Sequence, residues 1–301
     1  MPTESNDALH FLAAVDGSEH SLAAVRWVAR TGSGGARLRC TLLNVQRPIM
    51  SGEVGLIAPA SITQEARDRS AADILEYASA ILRSAGIPFA TEEQLDDAAA
   101  TVVARAQALG CDAIVIGRRG LGALRSVLLG SVSSEVVRRS DLPVIVVNPL
   151  ATDIPVVPLR LLVAVDGSDG AMRAAAFAAR LAAACAGEVH AAHVRPTLTV
   201  AGAAFGSRDQ LIEHWSGGQA DEALAKVRGL LVREHVKHAE HVLAGDDCVS
   251  TILEAAQVNS CGIVAMGTRG LGPVTGLLLG SVAQGVLQHA PAAVSAVVLV
   301  R

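Results

Sequence analysis

The sequence predicts two tandem α/β domains, each a parallel sheet with helices on both faces. An internal repeat is the first reason. "LAAVDGS" (Leu12–Ser18) returns as "LVAVDGS" (Leu162–Ser168), 150 residues on. "GRRGLGALRSVLLGSV" (Gly117–Val132) returns at the same offset as "GTRGLGPVTGLLLGSV" (Gly267–Val282), with ten of sixteen positions identical. That period matches a whole domain, not a solenoid unit, and 301 residues suit two domains of ordinary size. Second, short apolar runs alternate with amphipathic stretches in both halves, the pattern of a parallel sheet covered on both faces. Third, hydrophobic residues make up 51% of the chain and aromatics 2%. The core is therefore mainly Ala, Val and Leu, as parallel strands under helices require.

Prolines in "NPLATDIPVVP" (Asn148–Pro158) favour an extended linker. The expected organisation is domain 1 over residues 1–148, a linker over 149–158 and domain 2 over 159–301. Each half opens on an apolar run, "FLAAVD" or "LLVAVD", followed by a helix carrying Leu22, Val25 and Ala29 on one face of the first copy. A second strand follows, "RLRCTLLNV" or "EVHAAHV". The next helix is marked by Ile74, Leu75, Ala78, Ile81 and Leu82, and in the second half by Leu224, Val227 and Leu231, at i, i+4, i+7 spacing. "FATEEQL" and "AEHVL" read as weaker third strands. After a third helix come "CDAIVIG" and "CGIVAMG" as fourth strands, then the glycine segment, a helix from Ser131 or Ser281, and fifth strands in "PVIVV" and "AVSAVVLV".

Several classes of function are disfavoured. Net charge is −4, the only lysines are Lys226 and Lys237, and no basic block with stacking aromatics suggests nucleic acid. No run of about 18 apolar residues suggests a membrane span. The polar start "MPTESNDALH" lacks the basic n-region of a signal peptide, so a cytoplasmic location is expected. The five cysteines are odd in number and form no C-x-x-C, which disfavours a disulfide framework or zinc site. Cys111 and Cys261 read as small buried residues.

Ligands on such sheets bind at the carboxyl ends of strands, where strand order reverses. "VDGS" and the glycine segments both fall there. Gly117, Gly120 and Gly122 allow close approach of a ligand to the backbone. Gly130 and Ser131 precede a helix whose free N–H groups suit an anion. Ser131 is expected to cap that helix or to donate to a phosphate, and Arg119 to neutralise phosphate charge. The second copy keeps Gly267, Arg269, Gly270, Gly272, Gly280 and Ser281, but Arg118 and Arg125 become Thr268 and Thr275. Those two arginines are therefore not expected to be essential. A plain set of tight turns does not require the retained arginine. A Walker A loop is excluded because the first half has no lysine, and a dinucleotide fingerprint because "GRRGLG" is G-x-x-G-x-G and follows the fourth strand, not the first. No nucleophile–base pair is evident. On a helix His235, His238 and His241 in "HVKHAEH" would share a face and hold a metal, but they fall where a helix is expected to end and a strand to start, and the first half lacks them; solvated polar residues are the favoured reading.

The pattern G-x2-G-x9-G-S, met by Gly117, Gly120, Gly130 and Ser131 and again by Gly267, Gly270, Gly280 and Ser281, resembles the ATP-binding motif of universal stress proteins. The "AVDGS" opening and the strand–helix order resemble that family too, over essentially the whole chain. The resemblance implies a five-stranded sheet of order 3-2-1-4-5 in each domain, with ATP bound in both. Adenine and ribose would lie near Ala14, Asp16 and Val45, then Ala164, Asp166 and Val194; the valines match after a one-residue shift. Phosphates would lie on the glycine loop and on Gly130-Ser131-Val132 or Gly280-Ser281-Val282. Whether Asp16 and Asp166 hold Mg²⁺ with the triphosphate or hydrogen-bond the ribose stays open. The family often has Gly before the acidic residue after the third strand; Gly245-Asp246 fits and Leu95-Asp96 departs. Family members pair through fifth strands, which implies an intrachain pseudo-dimer or a homodimer. The function implied is an ATP-binding stress-response regulator acting through nucleotide-dependent conformation or a protein partner, with slow hydrolysis at most. The alternatives are an ATP-independent scaffold of the same fold and a related adenine-nucleotide hydrolase. The hydrolase would be expected to carry an S-G-G-x-D-S-like loop where "DGSEHS" stands.

Overall fold

The computed structural model describes residues 8–46, 60–119, 129–151, 159–195, 208–270 and 279–301, with backbone alone for 60–69, 208–217 and 219. Gly120, Gly122, Gly272 and most of the expected linker lie outside the described residues. The chain divides into two compact units, Met1–Thr152 and Asp153–Arg301.

Unit 1 runs β1 (Leu9–Ala14), α1 (Glu19–Gly32), β2 (Leu38–Gln46), α2 (Ala60–Ser84), β3 (Phe89–Leu95), α3 (Ala98–Ala108), β4 (Ala113–Gly117), α4 (Ser131–Arg139) and β5 (Val144–Val147). Its strands are parallel in the order β3-β2-β1-β4-β5. Unit 2 repeats the plan with β6 (Arg160–Ala164), α5 (Asp169–Ala184), β7 (Glu188–Arg195), α6 (Arg208–Arg233), β8 (Lys237–Ala244), α7 (Cys248–Val258), β9 (Ile263–Gly267), α8 (Ser281–His289) and β10 (Ala296–Val300). Its order is β8-β7-β6-β9-β10, again parallel. In each unit the order reverses beside the first strand, which opens a crevice at the carboxyl edge.

The central strands are buried on both faces, so they read as unbroken apolar runs. The edge strand β3 alternates instead, and its Glu92 pairs with Arg105 of α3 at 2.8 Å. α1 packs on α2 and β4, whereas α3 packs on α4. On α1, Leu22 is only half-buried; Val25 and Ala29 are joined in the core by Trp27 and Val28, with Trp27 tilted against Phe11 at 6.3 Å. On α2, Leu75, Ala78 and Leu82 are buried; each leucine contributes about 2 kcal/mol by leaving water. Cys111 and Cys261 are buried, and desolvation pushes their thiols up to about 11 and about 12.

One expectation needs correction. β10 begins at Ala296, not Ala293, because a Pro291–Val294 turn precedes it and Ser295 Oγ donates to the Gly262 carbonyl at 2.8 Å. "HVKHAEH" runs from the turn after α6 into β8, where a helix was expected to end and a strand to start. His235 sits in a turn with φ 55, and the strand β8 already begins at Lys237. On a strand, His238 and His241 are three residues apart and face opposite sides. His241 instead stacks on His190, with ring nitrogens 2.9 Å apart. Among the described residues no three His, Cys, Asp or Glu side chains could hold a metal ion, and no helix is long and apolar enough to cross a membrane.

The register explains the one-residue shift between halves. Ala14 pairs with Leu43, and Ala164 pairs with Ala192. The second strands therefore correspond at an offset of 149, which makes Val45 and Val194 equivalent.

Candidate functional site

The "VDGS" turn is built the same way in both units. Gly17 and Gly167 have φ of +81 and +84, a conformation that favours glycine. Ser18 and Ser168 then N-cap α1 and α5, accepting from the amides of Ser21 and Ala171 at 3.2 Å. Each cap serine is itself held by the aspartate. Asp16 Oδ1 accepts from Ser18 N at 3.0 Å and Ser18 Oγ at 2.6 Å, and Asp166 Oδ1 accepts from Ser168 at the same distances. One carboxylate oxygen of each aspartate thus serves the turn.

The glycines of the repeated segment have separable reasons. Gly117 ends β4 where a Cβ would collide with the backbone of His20 in the first turn of α1. Gly267 lies likewise, with its Cβ position 3.1 Å from the Gly170 carbonyl carbon. A Cβ on Gly270 would stand 2.7 Å from Asp166 Oδ2, so this glycine admits the carboxylate's second oxygen. The loop is closed at its base by backbone bonds, Gly130 N to Arg118 O at 2.9 Å and Gly280 N to Thr268 O at 2.8 Å.

The helices start at Ser131 and Ser281 as expected, but of the two roles open to Ser131 the cap is not realised. Gly130 and Gly280, not Ser131 and Ser281, are the N-caps, and neither makes a side-chain cap bond. Their φ values of −62 and −64 are ordinary for any residue, so backbone conformation does not demand glycine. Ser131 and Ser281 are the first helical residues and are exposed. Ser133 Oγ, which the motif did not single out, donates to the Gly117 carbonyl at 2.9 Å and ties α4 to β4. By contrast α1, α3, α5 and α7 carry side-chain caps from Ser18, Asp97, Ser168 and Asp247. The helices after the glycine segment therefore present first-turn N–H groups without a capping side chain.

In unit 2 these parts surround a cavity of about 450 Å³ at the carboxyl edge, within the size range of small-molecule sites. Around it stand Ala164 and Asp166 from the first turn, Val194 from β7, and Gly267, Arg269 and Gly270 from the loop. Gly280, Ser281 and Val282 of the α8 start complete that ring. The cavity also meets residues that sequence reasoning missed: Val165, Ala192, His193, Cys248, Ile252, Met266, Thr268 and Ala283. Of these, His193 had a readable signal, because it precedes Val194 as Asn44 precedes Val45. Asn44 Nδ2 donates to the Val15 carbonyl at 2.7 Å, and His193 Nδ1 donates to the Val165 carbonyl at the same distance. Both bonds tie the second strand to the first at the crevice.

In unit 1, Ala14, Asp16, Val45, Gly117, Gly130, Ser131 and Val132 occupy the equivalent places. Gly120 and Gly122 fall outside the described residues. Arg118 and Arg119 are half-buried side by side. Desolvation and the Arg119 charge lower the affinity of Arg118 for its proton. Desolvation, then Arg119 and Arg118, hold His20 below its ordinary value, against Asp16 and Glu19.

The universal stress protein family profile matches residues 9–148 and 159–298. The chain belongs to the universal stress protein family. A universal stress protein of Mycolicibacterium smegmatis is 28% identical over 292 residues, 93% of each chain. Another, of Mycobacterium tuberculosis, is 27% identical over 305 residues, 96% of each chain. Among solved structures, a universal stress protein from Archaeoglobus fulgidus covers 99% of both chains at a TM-score of 0.69 and 21% identity, a likeness of fold. The tandem universal stress protein domains of this chain thus place the "VDGS" turn and the described ends of the glycine segment together at one sheet edge.

Proposed function

We propose that this universal stress protein binds ATP in both units and acts as a stress-response regulator through nucleotide-dependent conformation or partner binding. The observation that carries the reading is the unit 2 cavity, where a first-strand turn, the end of β7 and an uncapped helix start converge. The apolar side, with Ala164, Val194 and Ile252, suits an adenine ring. Asp166 Oδ2, beside Gly270, suits a ribose hydroxyl. The first-turn amides of α8 and the Arg269 guanidinium suit phosphate oxygens, since a helix N-terminus carries partial positive charge. Gly280 leaves that approach free of a side chain. In unit 1, Ala14, Asp16 and Val45 and the start of α4 would serve in the same way.

Mg²⁺ would come with the triphosphate, held chiefly by phosphate oxygens with at most one carboxylate, Asp16 or Asp166. The acid–base candidates of the cavity are engaged in holding the crevice: Asp166 Oδ1 accepts from Ser168, and His193 Nδ1 donates to Val165. That engagement supports binding over rapid turnover. Calorimetric titration with ATP, together with nucleotide released on denaturing the purified protein, tests the reading. Saturable binding is expected. No binding at millimolar ATP and no released nucleotide would refute it.

A further inference from the structure

Cys248 stands apart from the other thiols of the chain. Cys40, Cys111, Cys185 and Cys261 are buried, and desolvation pushes their thiols up to about 12, about 11, about 12 and about 12. Cys248 is half-buried and lines the unit 2 cavity. It is the first residue of α7, and Ile252, one turn on, lines the same cavity. Residues four apart share a helix face, so that face of α7 forms a wall of the site. The next residue, Val249, packs instead against Gly285 of α8.

A second group in the cavity wall points to a ligand. Thr268 lines the cavity and is 5% exposed, and its hydroxyl makes no hydrogen bond among the described residues. A buried hydroxyl without a protein partner is left for a group in the cavity to satisfy. Cys248 and Ile252 bound this space together with Ala164 and Val194, where the adenine ring is placed above. Unit 1 has no thiol at the equivalent place. Its α3 begins with Ala98 after the cap Asp97, as α7 begins with Cys248 after the cap Asp247.

We propose that Cys248 is a redox modification site that gates the unit 2 nucleotide site, with a low-molecular-weight disulfide as its co-reactant. This rests on the nucleotide-binding reading above. The Cys248 thiolate attacks one sulfur of the disulfide; a new S–S bond forms at Sγ and the old one breaks. Cys248 is oxidised, the departing sulfur is reduced, and the Cys248 proton passes through solvent to the leaving thiolate. The retained half fills the part of the cavity that would take adenine. Modified unit 2 therefore refuses nucleotide, and bound nucleotide shields the thiol. Excess small thiol reverses the step. Unit 1 keeps binding under oxidising conditions, because Ala98 offers no sulfur.

The test uses the full chain with one site silenced. Ser131→Glu places a carboxylate at the exposed first helical position of α4, where it repels phosphate; Ser281→Glu does the same in unit 2. Acid near a helix start is compatible with the helix dipole, so the fold is retained, which circular dichroism verifies. The probe is glutathione disulfide, with peptide mass mapping to locate adducts and calorimetry to measure ATP affinity. In the Ser131→Glu chain a single adduct is expected, at Cys248. With ATP at about ten times its Kd, the adduct should form about tenfold more slowly. The modified chain should bind ATP at least about tenfold more weakly, a difference of about 1.4 kcal/mol, and dithiothreitol should restore it. Glutathione disulfide should leave ATP affinity unmoved in the Cys248→Ala, Ser131→Glu chain and in the Ser281→Glu chain, which binds through unit 1. No adduct at Cys248, or an adduct there that leaves ATP affinity unchanged, would overturn the inference and leave the binding reading intact. Absence of ATP binding from the untreated wild-type chain would overturn both.

Discussion

Gly270 stands against the carboxylate of Asp166, its missing Cβ 2.7 Å from Oδ2. This links the two repeated motifs, which lie about a hundred residues apart in sequence. Gly270→Ala would displace the carboxylate from the crevice without touching the core. ATP affinity of unit 2, measured with unit 1 silenced, is expected to fall about tenfold, or about 1.4 kcal/mol. The thermal midpoint should scarcely move. A lost midpoint with unchanged affinity would make Gly270 a purely structural glycine.

Gly117 behaves in the opposite way. Its neighbour is the backbone of His20, which cannot yield as a side chain can. Gly117→Ala is expected to cost about 1–3 kcal/mol of stability through overpacking, read as a lowered urea midpoint. Gly267→Ala should cost less, because its contacts are slightly longer.

Asp166 serves both turn and site, and Asn separates the two roles. Asp166→Asn keeps an oxygen to accept from Ser168, so stability should change by less than about 1 kcal/mol, the usual worth of a cap. ATP binding should weaken with loss of the charge. Ser168→Ala should do the reverse, costing about 1 kcal/mol of stability and little affinity.

Stability should fall on acidification. Desolvation is the main cause holding His10 and His190 below their ordinary value, aided by Arg39 at His10 and by His241 at His190, where Glu188 opposes it. The unfolded chain therefore binds protons that the folded chain refuses. Their contribution is fully present above about pH 6.5 and is lost as pH drops from there toward the folded-state values. The urea midpoint should be lower at pH 5 than at pH 7.5, and His190→Gln should flatten the difference. A midpoint constant over that range would contradict it.

Much of the fold was legible because burial writes itself into spacing. The apolar runs of β1 and β4 and the Leu75, Ala78 and Leu82 stripe each have a period that the packing requires. The edge of the sheet was harder. β8 is half-exposed, so its apolar pattern is weak and only "AEHVL" of it was legible as strand. The helix start at Ser131 was legible but its cap was not: serine is the stronger capping residue, yet the Gly130 carbonyl accepts the first helical bond, from Ser134 N. Ser133 and Asn44 were missed for a shared reason. Each bonds a backbone carbonyl that the fold alone brings near, and no local pattern announces it. The divergence of Arg118 to Thr268 suggested dispensability in sequence, yet Thr268 lines the unit 2 cavity.

The central claim is that the glycine segment and the uncapped helix starts bind the phosphates of ATP. Titration of ATP into the wild-type chain and into the Ser131→Glu, Ser281→Glu double variant tests it most directly. Saturable binding to the wild type, lost in a double variant of unchanged thermal midpoint, is the result expected. Binding that persists in the double variant, or is absent from the wild type at millimolar ATP, would contradict it.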